Sequence, residues 1–256
     1  MDLELSGKRA WVSGGSRGIG KAIALELARE GVRVAISGRT AADLQTAAQE
    51  IHTATGHRPA AARGDTRSTG EVGAMADQIG RELGGIDILV NCAAKPGGYV
   101  HTLQDGAHEL LGEDLDTKVL GYLRCIEAVA PGMQSAGWGR IINIGGLAAR
   151  SSGSLSGMRN LALVHLSKTL SDQLGPSGIT VNAVHPGATQ TVPPGQDETG
   201  TKENGPAPRA ADNAIGRIVN AGEIAWLVAF LCSPKAAAIT GESIGAGGGV
   251  GRAVFP

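Results

Sequence analysis

The chain has 256 residues with 40 glycines, and its 23 basic and 24 acidic residues give a net charge of −1. This length suffices for one α/β domain with a large core, and the balanced charge argues against a nucleic-acid or polybasic membrane surface. There is no signal-peptide pattern and no apolar run of the roughly 20 residues that a membrane span needs. The cysteines, Cys92, Cys125 and Cys232, form no metal or redox motif, so we expect reduced thiols, a cytoplasmic protein and no metal site.

A glycine-rich turn lies between the first predicted strand, residues 9–13, and the first predicted helix, residues 21–30. Strand, glycine turn and helix in this order suit a nucleotide pyrophosphate, because the glycines allow a tight turn and the helix N-terminus presents free N–H groups. Taken alone, the pattern also fits an ordinary tight turn. The candidate cofactor-binding residues of the turn are Gly14, Ser16, Arg17, Gly18, Ile19 and Gly20.

The second predicted strand, residues 32–36, ends without an acidic residue. An acid at this point binds the ribose hydroxyl of NAD, whereas a cation favours the 2′-phosphate of NADP. Positions 37–39 read Ser-Gly-Arg, and Arg39 together with Arg17 provides two guanidinium groups for a phosphate. The sequence therefore favours NADP(H) over NAD(H). The alternative is that both arginines are solvated surface residues.

Helices and strands alternate along the rest of the chain. Further helices are predicted at 40–55, 68–83, 115–134, 155–174 and 220–231, and further strands at 57–64, 86–91, 139–144, 179–184 and 243–245. Asn220 with Glu223 predicts a capping box, and residues 188–214, rich in Gly, Pro and Thr, predict a mobile lid. The alternation predicts one Rossmann-type α/β domain over residues 1–256: a doubly wound parallel sheet of about seven strands with helices on both faces.

Five segments carry a resemblance to a known family: the turn at 13–20, Asp65, the stretch 91–94, Pro186-Gly187 with Thr191, and the glycines near 241 and 247. In this order they resemble the motifs of the short-chain dehydrogenase/reductase family. The resemblance implies hydride transfer between a nicotinamide cofactor and a carbonyl or alcohol of a small-molecule substrate, and a homodimer or homotetramer. The further cofactor-binding candidates that it implies are Asp65, Thr66, Asn91, Ala93, Pro186, Gly187 and Thr191.

The residues that perform the family's chemistry are changed at the matching positions. The resemblance implies a serine after the fifth strand, a tyrosine and a lysine four residues apart on the next helix, and a supporting asparagine. The matching positions hold Gly145-Gly146, Ser156, Asn160 and Lys118, in that order. The chain has two tyrosines, Tyr99 and Tyr122, and neither belongs to that helix.

Tyr99 and His185 are the candidate substitutes for the proton donor. Tyr99 follows the fourth strand, and His185 lies at the carboxyl end of the sixth, where ligands bind in such sheets. A surface aromatic and a hydrogen-bonded structural histidine are the alternatives. Arg159 is a cation that could hold a phosphate or polarise a carbonyl.

Two main hypotheses follow. The first is an NADP(H)-dependent oxidoreductase with a non-standard proton donor. The second is a catalytically silent member that binds a nucleotide or small ligand and acts as a sensor or as a partner subunit. Non-redox chemistry, such as dehydration or isomerisation, is a third possibility.

Overall fold

A seven-stranded parallel sheet forms the centre of the computed structural model, which describes residues 1–94, 103, 106–150, 154–191 and 213–251. Its strands, in spatial order, are β3 (Ala60–Arg63), β2 (Arg33–Gly38), β1 (Arg9–Ser13), β4 (Ile88–Asn91), β5 (Gly139–Ile144), β6 (Ile179–Pro186) and β9 (Ser243–Ala246). A separate pair is formed by β7 (Thr189–Gln190) and β8 (Val219–Asn220). The predicted fold class, a doubly wound Rossmann-type sheet, is confirmed.

The described residues form α1 (Gly18–Arg29), α2 (Ala41–Thr55), α3 (Thr69–Leu83), α4 (Ala107–Leu115), α5 (Gly121–Ala136), α6 (Gly157–Leu174) and α7 (Ala221–Cys232). A π-helical turn, Asp116–Leu120, joins α4 to α5. The sequence predicted one helix beginning at residue 115 and missed α4. Only Ala107 and Asp114 are buried within α4, while Leu110, Leu111 and Leu115, which are spaced as on one helix face, stay at least partly exposed.

Two apolar cores cover the two faces of the sheet. One contains Ile23 of α1 and Ile224 of α7, and the other contains Ile79 of α3 and Ile126 of α5. Consecutive strand residues point to opposite cores, as Ile141 and Ile142 of β5 do. Every residue of β5 is buried, which explains its continuous apolar run in the sequence.

Side-chain caps fix two of the helix starts. Asn220 accepts a hydrogen bond from the backbone N–H of Glu223 at 3.1 Å, while the Glu223 carboxylate accepts one from the Asn220 N–H at 3.0 Å. The predicted capping box is therefore confirmed. Ser68 caps α3 by accepting from Glu71 N–H, whereas Thr40 holds the N-cap position of α2 without a side-chain hydrogen bond.

The predicted lid at 188–214 falls mainly on residues 192–212, which lie outside the described residues. Its described beginning contributes β7, which pairs with β8 directly before α7. None of the helices in the described ranges combines the length and the apolar character needed to cross a bilayer.

Candidate active site

The glycine turn between β1 and α1 brings backbone against backbone. Gly14 and Gly18 have positive φ angles of 67° and 54°, and a Cβ atom on Gly14 would lie 2.8 Å from the backbone of Ala93. A Cβ atom on Gly20 would lie 2.2 Å from the Gly14 carbonyl oxygen. Arg17, at the N-cap position of α1, makes no side-chain cap bond, so its own side chain does not occupy the first N–H groups of this helix. This geometry fits an anionic group such as a pyrophosphate.

The turn also contacts the second strand and the residue that follows β7. Gly15 N–H donates to the Ser37 carbonyl oxygen at 3.2 Å, and the Ser16 hydroxyl lies close to Gly38. Ile19 is partly buried against the apolar core. A Cβ atom on Gly18 would lie 3.5 Å from Cγ2 of Thr191, so Thr191 is brought beside the turn although 173 positions separate the two residues.

Three arginines gather at the carboxyl ends of β2 and β3. Arg63 donates to the Arg39 carbonyl oxygen at 3.0 Å, and Arg67 forms an ion pair with Asp65 at 2.7 Å. The hydrogen bonds from Arg67 lower the pKa of the Asp65 carboxyl group, and the charge of Arg39 adds to this effect. Sequence reasoning singled out Arg39 and Asp65 but not Arg63 or Arg67. The parallel register, which aligns Gly38 with Arg63, is what brings Arg63 to this cluster.

Buried amides connect the ends of β4 and β5 to α6. Asn91 donates from Nδ2 to Asn143 Oδ1 at 3.0 Å, and Asn143 donates in turn to the Ser167 hydroxyl at 3.0 Å. Asn91 Oδ1 is buried without a hydrogen-bond partner among the described residues. Thr66, also buried, donates to the Thr117 carbonyl oxygen at 3.4 Å.

The segment after β6 packs against the segment after β9. Gly187 N–H donates to the Ala246 carbonyl oxygen at 3.3 Å, and Pro186 is aligned with Ala246 in the parallel register. A Cβ atom on Gly187 would lie 2.8 Å from Cα of Gly247, which explains the glycine by close backbone approach. The cofactor-binding roles of all these residues stay predictions.

Lys118 is the buried residue of the π-helical turn. Its side chain crosses to β5, where Nζ donates to the Gly145 carbonyl oxygen at 2.9 Å. Beside it, Arg159 of α6 and Asp114 of α4 form a buried ion pair. Burial is the main cause that lowers the pKa of Lys118 to about 7, and the charge of Arg159 acts in the same direction. The attraction of Asp114 opposes this shift.

His185 is fully buried beside the glycines that follow β5. Its Nδ1 lies 3.1 Å from both the backbone nitrogen and the carbonyl oxygen of Gly146, and its Nε2 is buried without a hydrogen-bond partner in the described part of the chain. Burial lowers the pKa of His185 to about 4, so the imidazole is neutral near pH 7. A Cβ atom on Gly145 would lie 2.3 Å from Nδ1. The ring thus fills the space that a side chain at position 145 would take.

Ser156, the N-cap residue of α6, and Asn160 within the helix stand where the resemblance implies a tyrosine and a lysine, and both are buried. Ser156 is fully buried, and Asn160 faces Gly146, where a Cβ atom would approach its Nδ2 within 3.0 Å. Tyr122 belongs to the core: its hydroxyl donates to the Ile144 carbonyl oxygen at 3.1 Å, and burial raises its pKa well above the usual value. Tyr99, the other tyrosine, lies outside the described residues.

The three thiols are free and do not favour nucleophilic chemistry. Burial raises the pKa of Cys92 to about 11 and the pKa values of Cys125 and Cys232 to about 12. Few thiolates therefore exist near pH 7.

The sheet order and the glycine turn define a dinucleotide-binding α/β protein. Residues 14–251 match a family model described as enoyl-(acyl carrier protein) reductase. The chain belongs to the short-chain dehydrogenase/reductase family, and its reductase relatives identify it as an oxidoreductase.

Two curated reductases and one solved structure illustrate this relationship. The chain is 36% identical over 251 residues to the short-chain reductase protein NovJ of Streptomyces niveus, across 94% of this chain and 92% of NovJ. It is 34% identical to the 3-oxoacyl-[acyl-carrier-protein] reductase FabG of Pseudomonas aeruginosa, across 97% and 99% of the two chains. L-sorbose reductase from Gluconobacter frateurii, solved with NADPH and L-sorbose, superposes with a TM-score of 0.89 at 29% identity, across 99% of this chain and 100% of that chain.

Proposed function

We propose that this protein is an NADP(H)-dependent oxidoreductase that interconverts a carbonyl group and an alcohol of a small molecule. The observation that carries the proposal is the tightly packed glycine turn at the N-terminus of α1, with a cluster of arginines at the neighbouring strand ends. The relatives named above are reductases, and one of them was solved with NADPH.

The cofactor-binding residues fit the parts of such a nucleotide. The N–H groups of the turn and of the α1 N-terminus would hold the pyrophosphate, and Arg39 with Arg63 would hold the 2′-phosphate. Asp65 and Thr66 would meet the adenine. The ribose and the carboxamide of the nicotinamide half of the nucleotide would contact the remaining candidates, Asn91, Ala93, Pro186, Gly187 and Thr191. When bound, the reduced nicotinamide supplies a hydride to the carbonyl carbon.

The catalytic group of this enzyme, in our proposal, is not the family's tyrosine. Glycine, serine, asparagine and lysine occupy the four positions that match the family's catalytic residues. An aliphatic hydroxyl such as that of Ser156 is too weak an acid to replace a phenol. Lys118, whose hydrogen-bond acceptor is an uncharged carbonyl oxygen, instead provides a buried cationic group at the strand ends, whereas the charge of Arg159 is paired with that of Asp114.

A catalytically silent ligand-binding protein is the second candidate function. The observation that favours it is the joint change of all four matching positions. Such a protein would act as a sensor or as a partner subunit. It would bind NADPH and rise in melting temperature accordingly, but it would not oxidise the cofactor with any carbonyl compound.

Titrations with NADPH and NADH, followed by cofactor fluorescence, test the cofactor. We expect NADPH to bind at least about tenfold more tightly, because a 2′-phosphate gains charge-assisted hydrogen bonds worth about 1.5–3 kcal/mol. Arg39→Ala should remove this preference and leave NADH binding unchanged. Arg33→Ala is the matched control, since Arg33 lies at the opposite end of β2 and donates to the Leu83 carbonyl oxygen. Equal affinities in the unmodified protein would contradict the NADP(H) assignment.

Turnover is tested by NADPH oxidation with three carbonyl compounds. They are acetoacetyl-CoA, which is a 3-oxoacyl thioester, L-sorbose, and 7-oxo glycochenodeoxycholic acid, which is bound with NADH in a solved 7 alpha-hydroxysteroid dehydrogenase that is 29% identical to this chain. Oxidation with any of them supports the enzyme. Tight NADPH binding without oxidation by this panel favours the silent candidate.

We also propose that the protein is a homodimer or homotetramer. Leu120, Met158 and Leu161, near the starts of α5 and α6, are exposed by 46%, 55% and 58%, and such apolar exposure supports association. Light scattering coupled to size-exclusion chromatography should give a mass at least twice that of the chain. Leu161→Glu should lower this mass, and a monomeric unmodified protein would refute the proposal.

A further inference from the structure

We propose that Lys118 is the catalytic acid of this site and that its ammonium group donates a proton to the carbonyl oxygen of the substrate. This inference rests on the proposed function, because it requires a carbonyl substrate and a hydride donor. Its grounds are the position of the amine, the backbone that carries it and the charges around it.

The amine lies at the edge of the sheet where a substrate would bind. Ligands of parallel sheets bind beyond the carboxyl ends of the strands, and Gly145 is the first residue after β5. Lys118 Nζ is 2.9 Å from the carbonyl oxygen of Gly145, and His185 and Asn160 adjoin the same pair of glycines. Glycines at 145 and 146 leave the end of β5 without side chains of its own.

The backbone around Lys118 is irregular in a way that directs it inward. Lys118 belongs to a five-residue π-helical turn between two α-helices, and it is the buried residue of that turn. Such turns are rare and occur frequently at functional sites. An apolar residue would bury itself here at much lower cost than an ammonium group. Packing alone therefore does not account for a lysine at this position.

The charges around Lys118 do not neutralise it. The nearby carboxylate, that of Asp114, is paired with Arg159, and the acceptor that the described residues give Lys118 is an uncharged carbonyl oxygen. The titratable groups around it are Asp114 of α4, Arg159 of α6, Cys92 after β4 and His185 of β6, together with Tyr122 of α5, which donates to Ile144, the residue before Gly145.

Three of these groups, the Cys92 thiol, the Tyr122 phenol and the His185 imidazole, are uncharged near pH 7, because burial raises the first two pKa values and lowers the third. The same burial lowers the pKa of Lys118 to about 7. An acid whose pKa lies near the working pH transfers protons effectively in both directions.

In the reduction, the carbonyl carbon gains a hydride and the carbonyl oxygen gains a proton. The electron pair of the C=O π bond forms the new O–H bond with a proton from Lys118 Nζ. The N–H bond breaks, its electron pair stays on nitrogen, and the neutral amine takes a proton from solvent before the next turnover. In alcohol oxidation the neutral amine accepts the hydroxyl proton instead.

The test compares the unmodified protein with Lys118→Met, Lys118→Ala and Lys118→Arg in NADPH oxidation with the three carbonyl compounds above. We expect kcat to fall at least about 100-fold in the Met and Ala variants, the usual contribution of general acid catalysis, while NADPH binding is retained. Retained binding also shows that the variants fold. Lys168→Met is the matched control: Lys168 is 62% exposed and paired with Asp172, so this variant should keep full activity.

Two readouts separate proton donation from a merely structural bond to Gly145. In the unmodified protein, kcat/KM for reduction should be constant below about pH 7 and fall tenfold per pH unit above it; in Lys118→Arg this fall should disappear. Methylamine should restore part of the activity of Lys118→Ala in proportion to the concentration of methylammonium, its protonated form. An unchanged pH profile in Lys118→Arg, or no rescue, would overturn the inference.

A third readout needs no turnover. Reductive methylation with 13C-formaldehyde labels lysines, and the Lys118 signal is the one absent from the spectrum of Lys118→Arg. We expect this signal to titrate near pH 7; a signal that does not titrate below pH 9 overturns the inference.

The proposed function and this inference fail in different ways. If the unmodified protein oxidises NADPH with no carbonyl compound, both fall. If turnover survives in Lys118→Met, the inference alone is refuted.

Discussion

At the scale of single residues, the buried Lys118 makes the free energy of unfolding depend on pH. Its pKa falls from 10.5 in the unfolded chain to about 7 in the folded protein, so between these values the unfolded chain binds more protons. Stability therefore rises with pH across this window, and the lysine destabilises the fold most below pH 7.

We expect the unfolding free energy of the unmodified protein to increase relative to that of Lys118→Met by about 2–3 kcal/mol between pH 7 and pH 9, since each pKa unit is worth about 1.4 kcal/mol. Urea unfolding of both proteins at pH 7, 8 and 9 measures this difference. A difference that does not change with pH would mean that Lys118 keeps an ordinary pKa.

The contact between Gly145 and His185 gives a second prediction. Gly145→Ala places a Cβ atom 2.3 Å from the imidazole, so the ring must move, and we expect a loss of about 1–3 kcal/mol in stability. Gly132→Ala is the control, since no heavy atom lies within 4 Å of its Cβ position and alanine favours the helix. In thermal unfolding, the melting temperature of Gly145→Ala should fall and that of Gly132→Ala should rise.

A double variant tests whether the imidazole of His185 causes the stability loss in Gly145→Ala. Removing the ring in Gly145→Ala/His185→Ala should make the Gly145→Ala step less costly than it is in the presence of His185. Equal costs with and without the ring would show that the glycine is needed for another reason.

At the scale of elements, the start of α7 depends on a local motif. Asn220 and Glu223 satisfy each other's backbone N–H groups, and Arg217 pairs with Glu223 at 2.6 Å. The hydrogen bonds from Arg217, followed by the one from Asn220 N–H, lower the pKa of Glu223 to about 2. Such a box forms from four consecutive residues, and this is why its sequence pattern predicted it.

We expect Asn220→Ala to cost about 1 kcal/mol, because a helix N–H group loses its acceptor. For a chain of this size the melting temperature should fall by about 2–4 °C. Asn220→Asp keeps an acceptor and should cost much less. Calorimetry of the three proteins measures these shifts, and equal losses in both variants would contradict the cap.

The helix starts in the structure differ most from the predicted ones in two places. The structure begins α1 at Gly18, three residues before the predicted start of the helix at residue 21. It places α4 and the π-helical turn before α5, where the sequence predicted one helix from residue 115. Leu110, Leu111 and Leu115 are spaced as on one helix face, so the sequence contained a signal for α4 that the prediction did not use.

At the scale of the whole molecule, the sheet separates two cores. Ile23 of α1 and Ile79 of α3 are fully buried in different apolar clusters on opposite faces. We expect Ile23→Val and Ile79→Val each to cost about 0.5–1.5 kcal/mol, because each removes one buried methyl group. The costs should add within about 0.5 kcal/mol in the double variant, since the two sites share no partners. Urea unfolding measures all three, and a larger coupling energy would mean that strain passes through the sheet.

The fold class, the glycine turn, the seven strands of the sheet and the capping box were predictable from the sequence. These features arise from residues that are close along the chain: Gly14 and Gly20 act within one turn, and Asn220 and Glu223 within one helical turn. Alternation and helical periodicity express burial on a single element, so they can be recognised without knowing what that element packs against.

The buried polar groups at the end of β5 were not predictable from the sequence, because they come together only in the tertiary structure. The sequence identified Lys118 only as a departure from the family's motif, and it gave no reason to select Asp114 or Arg63. The structure brings Lys118, Asp114, Arg159 and His185 together from four separate elements and buries them. No local sequence pattern predicts this cluster of side chains, because the protonation and the partners of a buried charge depend on residues tens of positions away.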